Sequence, residues 1–174
     1  MLEQYRLLKL SGENNTSAFD CGDNDLNDFI RNDAWKYQQE LLSVTYSFLN
    51  KNDEIAAFFS VSNDSLKDQD FERWNNLSRK LPNRKRRKDY PAVKIGRLGV
   101  NSGYRGIGSE IIVFIKNWFT IENKSGCRFV LVDAYNKIDV LNFYEKNDFI
   151  FLTEKDKDKK TRLMYFDLIR MTPK

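Results

Sequence analysis

Ile95-Gly96-Arg97-Leu98-Gly99-Val100-Asn101-Ser102-Gly103-Tyr104-Arg105-Gly106-Ile107-Gly108-Ser109 is the stretch that decides how this chain reads. Strand formers run from Val93 to Val100 and a glycine-rich turn follows. Ile111, Ile112, Ile115, Trp118 and Phe119 then recur at helical spacing. Glycine lets successive backbone N–H groups face one point with no Cβ in the way. The helix start adds unpaired N–H groups and the positive end of a dipole. Strand, glycine turn and helix in that order suit a phosphate or pyrophosphate. The same order also serves as a plain tight strand–helix turn. A P-loop is excluded, because no Gly-Lys-Ser/Thr follows. The dinucleotide fingerprint is excluded too, because the first glycine of Gly-x-Gly-x-x-Gly is missing.

Working outward, Phe129 to Val132 is a short, wholly apolar strand of the kind buried at the centre of a sheet. It leads into Asp133-Ala134-Tyr135-Asn136. Ile138 to Lys146 is a helix, and Phe149 to Leu152 and Leu163 to Ile169 are strands. Between those strands, Thr153 to Lys160 reads as a solvated, charged hairpin tip. Upstream, Tyr5 to Leu10 is a first strand. From Asn24, Leu26, Phe29, Ile30, Ala34, Tyr37 and Leu41 mark a helix with one apolar stripe, capped by Asp23 or Asn24. Val44 to Leu49 and Glu54 to Val61 form a hairpin around Asn50-Lys51-Asn52-Asp53. Ser65 to Leu81 reads as a weakly amphipathic helix. This order makes a mixed α/β domain with a central sheet, one domain over residues 1–174.

Composition narrows the chemistry. With 13 Phe, 8 Tyr and 3 Trp, the chain has ample side chains for a core. It has no histidine, which removes Ser–His, Cys–His and His-ligated metal chemistry. Proton transfer is left to Glu, Asp, Tyr, Lys, Cys or water. Cys21 and Cys127 stand far apart in no metal-type spacing. With no apolar run long enough for a bilayer and no signal-peptide pattern, a cytoplasmic protein is expected. The 29 basic and 25 acidic residues leave a net charge of +4, which permits an anionic ligand without demanding nucleic acid.

The turn at 105–109, Asn136 and Phe143-Tyr144-Glu145-Lys146-Asn147-Asp148-Phe149 together resemble the GNAT superfamily of N-acetyltransferases. The resemblance covers roughly Val93 to Leu152. It implies a GNAT-like α+β fold: a mostly antiparallel, twisted sheet of about seven strands flanked by about four helices. It implies acetyl-CoA as co-substrate, no metal, and transfer of the acetyl group to a primary amine by direct attack. Leu98, Gly99 and Val100 would pair with the pantetheine arm. Arg105, Gly106, Ile107, Gly108 and Ser109 would hold the pyrophosphate, and Asn136 would bond near the arm. Tyr144 would protonate the leaving thiolate, for which an ordinary phenol has a pKa close enough to a thiol. Apart from the family, Tyr144 reads as a core aromatic on an amphipathic helix. The chain departs from the family twice. Gly103 stands where the family has Arg or Gln, unless Arg105 fills that role in a loop about two residues shorter. Asp148 replaces the glycine before Phe149, a position expected to need positive φ.

A narrower resemblance lies in Phe19-Asp20-Cys21-Gly22 through Phe29-Ile30 with Asp33-Ala34, and in Leu81-Pro82 with Tyr90 to Val100. It is to a GNAT branch that includes toxins of toxin–antitoxin pairs, which acetylate aminoacyl-tRNA. Expected partners are therefore a small-molecule or macromolecular amine acceptor, with a homodimer as a further expectation and no membrane. Arg84-Lys85-Arg86-Arg87-Lys88 would meet tRNA phosphates. As a bare charge run it reads equally as a solvated loop. Glu54 and Asp133 are possible general bases on the substrate-side strands, though most such carboxylates are simply surface or turn residues, and neither is singled out. A GNAT-fold module that only binds is the competing class, and the altered glycine loop is the feature that favours it.

Overall fold

The computed structural model describes residues 2–67, 89–104, 106–121, 123 and 125–172. Seven strands form one sheet: β1 (Arg6–Lys9), β2 (Val44–Leu49), β3 (Ile55–Lys67), β4 (Asp89–Val100), β5 (Phe129–Tyr135), β6 (Ile150–Phe151) and β7 (Thr161–Asp167). Their order across the sheet is β1-β2-β3-β4-β5-β7-β6. The pairs β1/β2, β2/β3, β5/β7 and β6/β7 are antiparallel. Among the described residues the helical segments are α1 (Asn24–Asp28), which passes through a π-turn (Phe29–Asp33) into α2 (Ala34–Gln39), then α3 (Ile107–Ile121) and α4 (Ile138–Lys146).

The described residues divide into two compact units. The first holds Met1–Ser62 and Ile95–Phe114. Its core gathers Leu10, Phe19, Phe29, Ile30, Ala34, Leu49, Ile55 and Phe58. Residues 55–61 of β3 are all buried, as a strand covered on both faces must be. Asp23 caps α1 by accepting from the amides of Asp25 and Leu26 at 3.0 and 3.1 Å. The second unit holds Asn63–Lys94 and Ile115–Lys174. Leu66, Tyr90, Ala92, Phe129, Leu131, Leu152 and Tyr165 form its core.

Three readings of the sequence need correction. Ser65 to Lys67 belong to β3, not to a helix, because Leu66 is 1% exposed and Asp64 pairs with Lys94 at 3.8 Å across the strand surface. The rest of that helix, residues 68–81, lies outside the described residues, so the expected fourth helix has no counterpart among them. Leu41 is no part of the apolar stripe: it sits beyond α2 and is 91% exposed. Lastly, the 153–160 turn is not simply solvated, since Asp156 within it is buried.

Candidate functional site

In the first unit, β4 delivers the chain to the glycine turn. Gly99 is there because of packing. A Cβ on it would come within 2.6 Å of the Phe58 ring and 3.2 Å of Phe19. Asn101 then organises the turn. Its amide donates to Ala56 O at 2.9 Å, its Oδ1 accepts from Gly103 N at 3.2 Å, and its carbonyl accepts from Tyr104 N at 2.8 Å. Asn50 fixes the Tyr104 hydroxyl through its Nδ2 at 2.5 Å.

The amides of Gly103 and Tyr104 are therefore taken up inside the turn. Donors for an anion begin only further on. Gly106 has φ +90°, and a Cβ there would meet nothing within 4 Å. Conformation, not crowding, requires this glycine. Ile107 is buried and starts the 15-residue α3, whose first amides lack intrahelical acceptors. The residues thus fit an anion at Gly106, Ile107 and Gly108. Arg105 lies outside the described residues, as does the run Arg84 to Lys88.

In the second unit, Tyr144 is 7% exposed on α4. Its ring meets Phe143 and Phe149 edge-on, with centroids 5.1 and 5.4 Å away. The helix ends immediately after it in a Schellman cap. Phe149 N donates to Tyr144 O at 3.0 Å and Asp148 N to Glu145 O at 2.9 Å. Asp148 takes φ +61°, the left-handed conformation expected at the position where the family has glycine. Lys116, itself 4% exposed, donates its ammonium to Asn147 O at 2.5 Å and lies 3.6 Å over the Phe166 ring.

Burial pushes the Tyr144 phenol well above its ordinary range. The expected match between phenol and thiol is therefore not met in this environment. Tyr144 stays protonated at every physiological pH, which suits a donor. Handing over that proton is favourable only where the accepting thiolate is desolvated as well.

Asn136 is engaged in a way the sequence did not reveal. Its Nδ2 donates to Lys157 O at 2.8 Å and to Lys159 O at 2.9 Å, and its amide donates to Lys160 O at 3.0 Å. Among the described residues its Oδ1 accepts no hydrogen bond, which leaves an acceptor for a cofactor contact. Glu54 accepts from Asn50 Nδ2 at 2.7 Å, and Asp133 is ion-paired with Lys94. Lys116 also went unread, although a signal exists: it falls on the apolar stripe of α3, four residues after Ile112.

Among the described residues, no group of three or more His, Cys, Asp or Glu could hold a metal ion, and no helix is long and apolar enough to cross a membrane. No protein-family model matches the chain. Its fold is similar to that of solved structures at low identity. AtaT complexed with acetyl-methionyl-tRNAfMet superposes with a TM-score of 0.80 at 16% identity, covering 96% of this chain and 96% of that one. A tyrosine-to-phenylalanine mutant of the AtaT toxin, bound to the C-terminus of the antitoxin AtaR, gives 0.74 at 16% identity over 96% and 94%. AtaTR bound with acetyl-CoA gives 0.74 at 15% identity over 97% and 96%. The chain shares the fold of these solved structures over nearly its whole length.

Proposed function

We propose that this chain is an acetyl-CoA-dependent N-acetyltransferase, acting as one domain over residues 1–174. The observation that carries the reading is the turn after β4. Gly106 at φ +90° feeds an unobstructed helix start, while Asn101 takes up the amides before it. In this reading the backbone of Leu98, Gly99 and Val100 pairs with the pantetheine arm. Gly106, Ile107, Gly108 and Ser109, with Arg105, hold the pyrophosphate, and Asn136 contributes an acceptor through Oδ1. When bound, acetyl-CoA supplies an activated thioester. Tyr144 holds a proton for the departing sulfur, in a site where its Schellman cap and the Phe149 ring fix its position.

Calorimetry with acetyl-CoA, followed by turnover assays on Tyr144→Phe, tests this. Turnover should fall by about 10²–10⁴, the usual weight of general acid–base catalysis, with acetyl-CoA affinity within about threefold of wild type. A mutant as active as wild type would remove Tyr144 as the acid. A wild-type protein that fails to bind millimolar acetyl-CoA would leave the binding-module reading.

Aminoacyl-tRNA is the favoured acceptor. The support is the similarity to AtaT captured with acetyl-methionyl-tRNAfMet, a product in which an aminoacyl amine carries the acetyl group. Acetyl transfer to charged tRNA, compared with free amines and peptides, tests that choice. The run Arg84 to Lys88 is a proposed contact to the tRNA backbone.

A further inference from the structure

The lysine-rich turn between β6 and β7 sits on an unusually complete set of anchors. Asp156 is 6% exposed. Its Oδ1 accepts from Arg162 Nε and its Oδ2 from Leu163 N, both at 2.7 Å. Arg162 is also buried, donates to Thr153 O at 3.2 Å and lies 4.3 Å over the Phe151 ring. Asn136 grips the far side of the turn through the carbonyls of Lys157, Lys159 and Lys160. Within it, Lys157 N donates to Glu154 O and Lys159 N to Asp156 O.

These inward-facing groups are bonded, and the outward-facing ones are four lysines with two acids, Glu154 and Asp158, among them. Lys155, Lys157, Lys159 and Lys160 are all exposed, and among the described residues none has an ion-pair partner. A lysine tip on a floppy loop would need ordering on contact. A tip held by a buried ion pair and an asparagine clamp has that ordering already built in. Such lysines suit a regularly charged partner, and with Glu154 drawn to Arg162 at 3.6 Å they leave the tip net positive against Asp158 alone.

We propose that the 153–160 turn is a preorganised phosphate-backbone contact for RNA, with Asn136 as its positioning residue. This deepens the aminoacyl-tRNA reading and rests on it. Contacts of this kind release condensed counterions, so they set the salt dependence of binding and not its sequence preference.

The test uses the full chain and uncharged tRNA, so that binding is read apart from acetyl transfer. Fluorescence anisotropy compares wild type with the fourfold Lys155, Lys157, Lys159, Lys160→Gln variant across salt concentrations. Loss of two to four phosphate contacts should flatten the slope of log affinity against log salt by roughly 1.5–3.5 and weaken binding at least about tenfold at low salt. The matching fourfold Lys→Arg variant should restore both. Calorimetric binding of acetyl-CoA establishes that each variant is folded. Should the fourfold Gln variant fail that check, the Lys157, Lys159→Gln pair carries the same reading with about half the change in slope. An unchanged slope and affinity would overturn the proposal while leaving acetylation of charged tRNA intact. Wild-type protein that acetylates small amines yet shows no tRNA binding would overturn it along with the tRNA acceptor, and the enzyme reading would stand.

Discussion

An ammonium group surrounded by phenylalanine rings has lost most of its water, and Lys116 replaces that water with one carbonyl and two π-faces. The replacement is incomplete. Burial lowers its pKa from the ordinary 10.5 to about 8, with Asp148 pulling it up and Arg170 pushing it further down. Between those two values the unfolded chain keeps a proton that the folded chain has released. Stability should therefore rise with pH from about 8 to 10.5, by an amount on the order of 1–3 kcal/mol. Urea unfolding of wild type against Lys116→Met from pH 7 to 10 checks this. The rise should appear in wild type and vanish in the variant. Individual roles of this kind were the least legible part of the sequence. Gly106 and the positive φ at Asp148 could be foreseen, because each is a local backbone demand. The clamp made by Asn136 could not, because its partners Lys157 and Lys159 are 21 and 23 residues away.

Helix ends tell a common story at the scale of elements. Both α2 and α4 close in Schellman caps, and neither uses glycine at the left-handed position. In α2 the residue is Leu41 at φ +56°, with Leu42 N donating to Tyr37 O at 2.9 Å and Leu41 N to Gln38 O at 3.1 Å. Its exposed side chain contributes little packing, so Leu41→Gly removes strain at small expense. Left-handed backbone costs an L-residue about 1–2 kcal/mol, against about 0.5–1 kcal/mol of extra chain entropy for glycine. A net gain of about 0.5–1 kcal/mol is expected, seen as a higher urea midpoint with an unchanged m-value. Strand β4 and helix α3 were readable because their periods are strong and their boundary is marked by glycine. The far end of β3 was not. Asn63 and Asp64 resemble turn chemistry until Leu66 and the Asp64–Lys94 pair are seen to hold them in the sheet. The π-turn at Phe29–Asp33 was equally hidden, since one extra residue in a turn barely disturbs an apolar stripe.

For the molecule as a whole, the legible part was the order of elements and the residue types a core needs. Each unit has an apolar cluster of its own, and both are rich in aromatic rings. A cofactor that binds the folded chain alone should stabilise it by mass action. If the glycine turn holds acetyl-CoA, cofactor at a hundred times its Kd should add about 2.7 kcal/mol. For a chain of this size that is a melting temperature higher by roughly 5–10 °C. Differential scanning calorimetry with and without acetyl-CoA measures it, and a flat response would count against the site.

Asp148 occupies the left-handed position, and Arg170 reaches its backbone carbonyl at 3.4 Å and its side-chain Oδ1 at 3.5 Å. A glycine there would keep the carbonyl contact and lose only the carboxylate one. Exchanging Asp148 for glycine should therefore release Arg170 from its carboxylate partner, so the two positions are coupled through one exposed ion pair. The aspartate that closes this helix and the arginine near the end of the chain then behave as one pair, and a change at either is felt at the other.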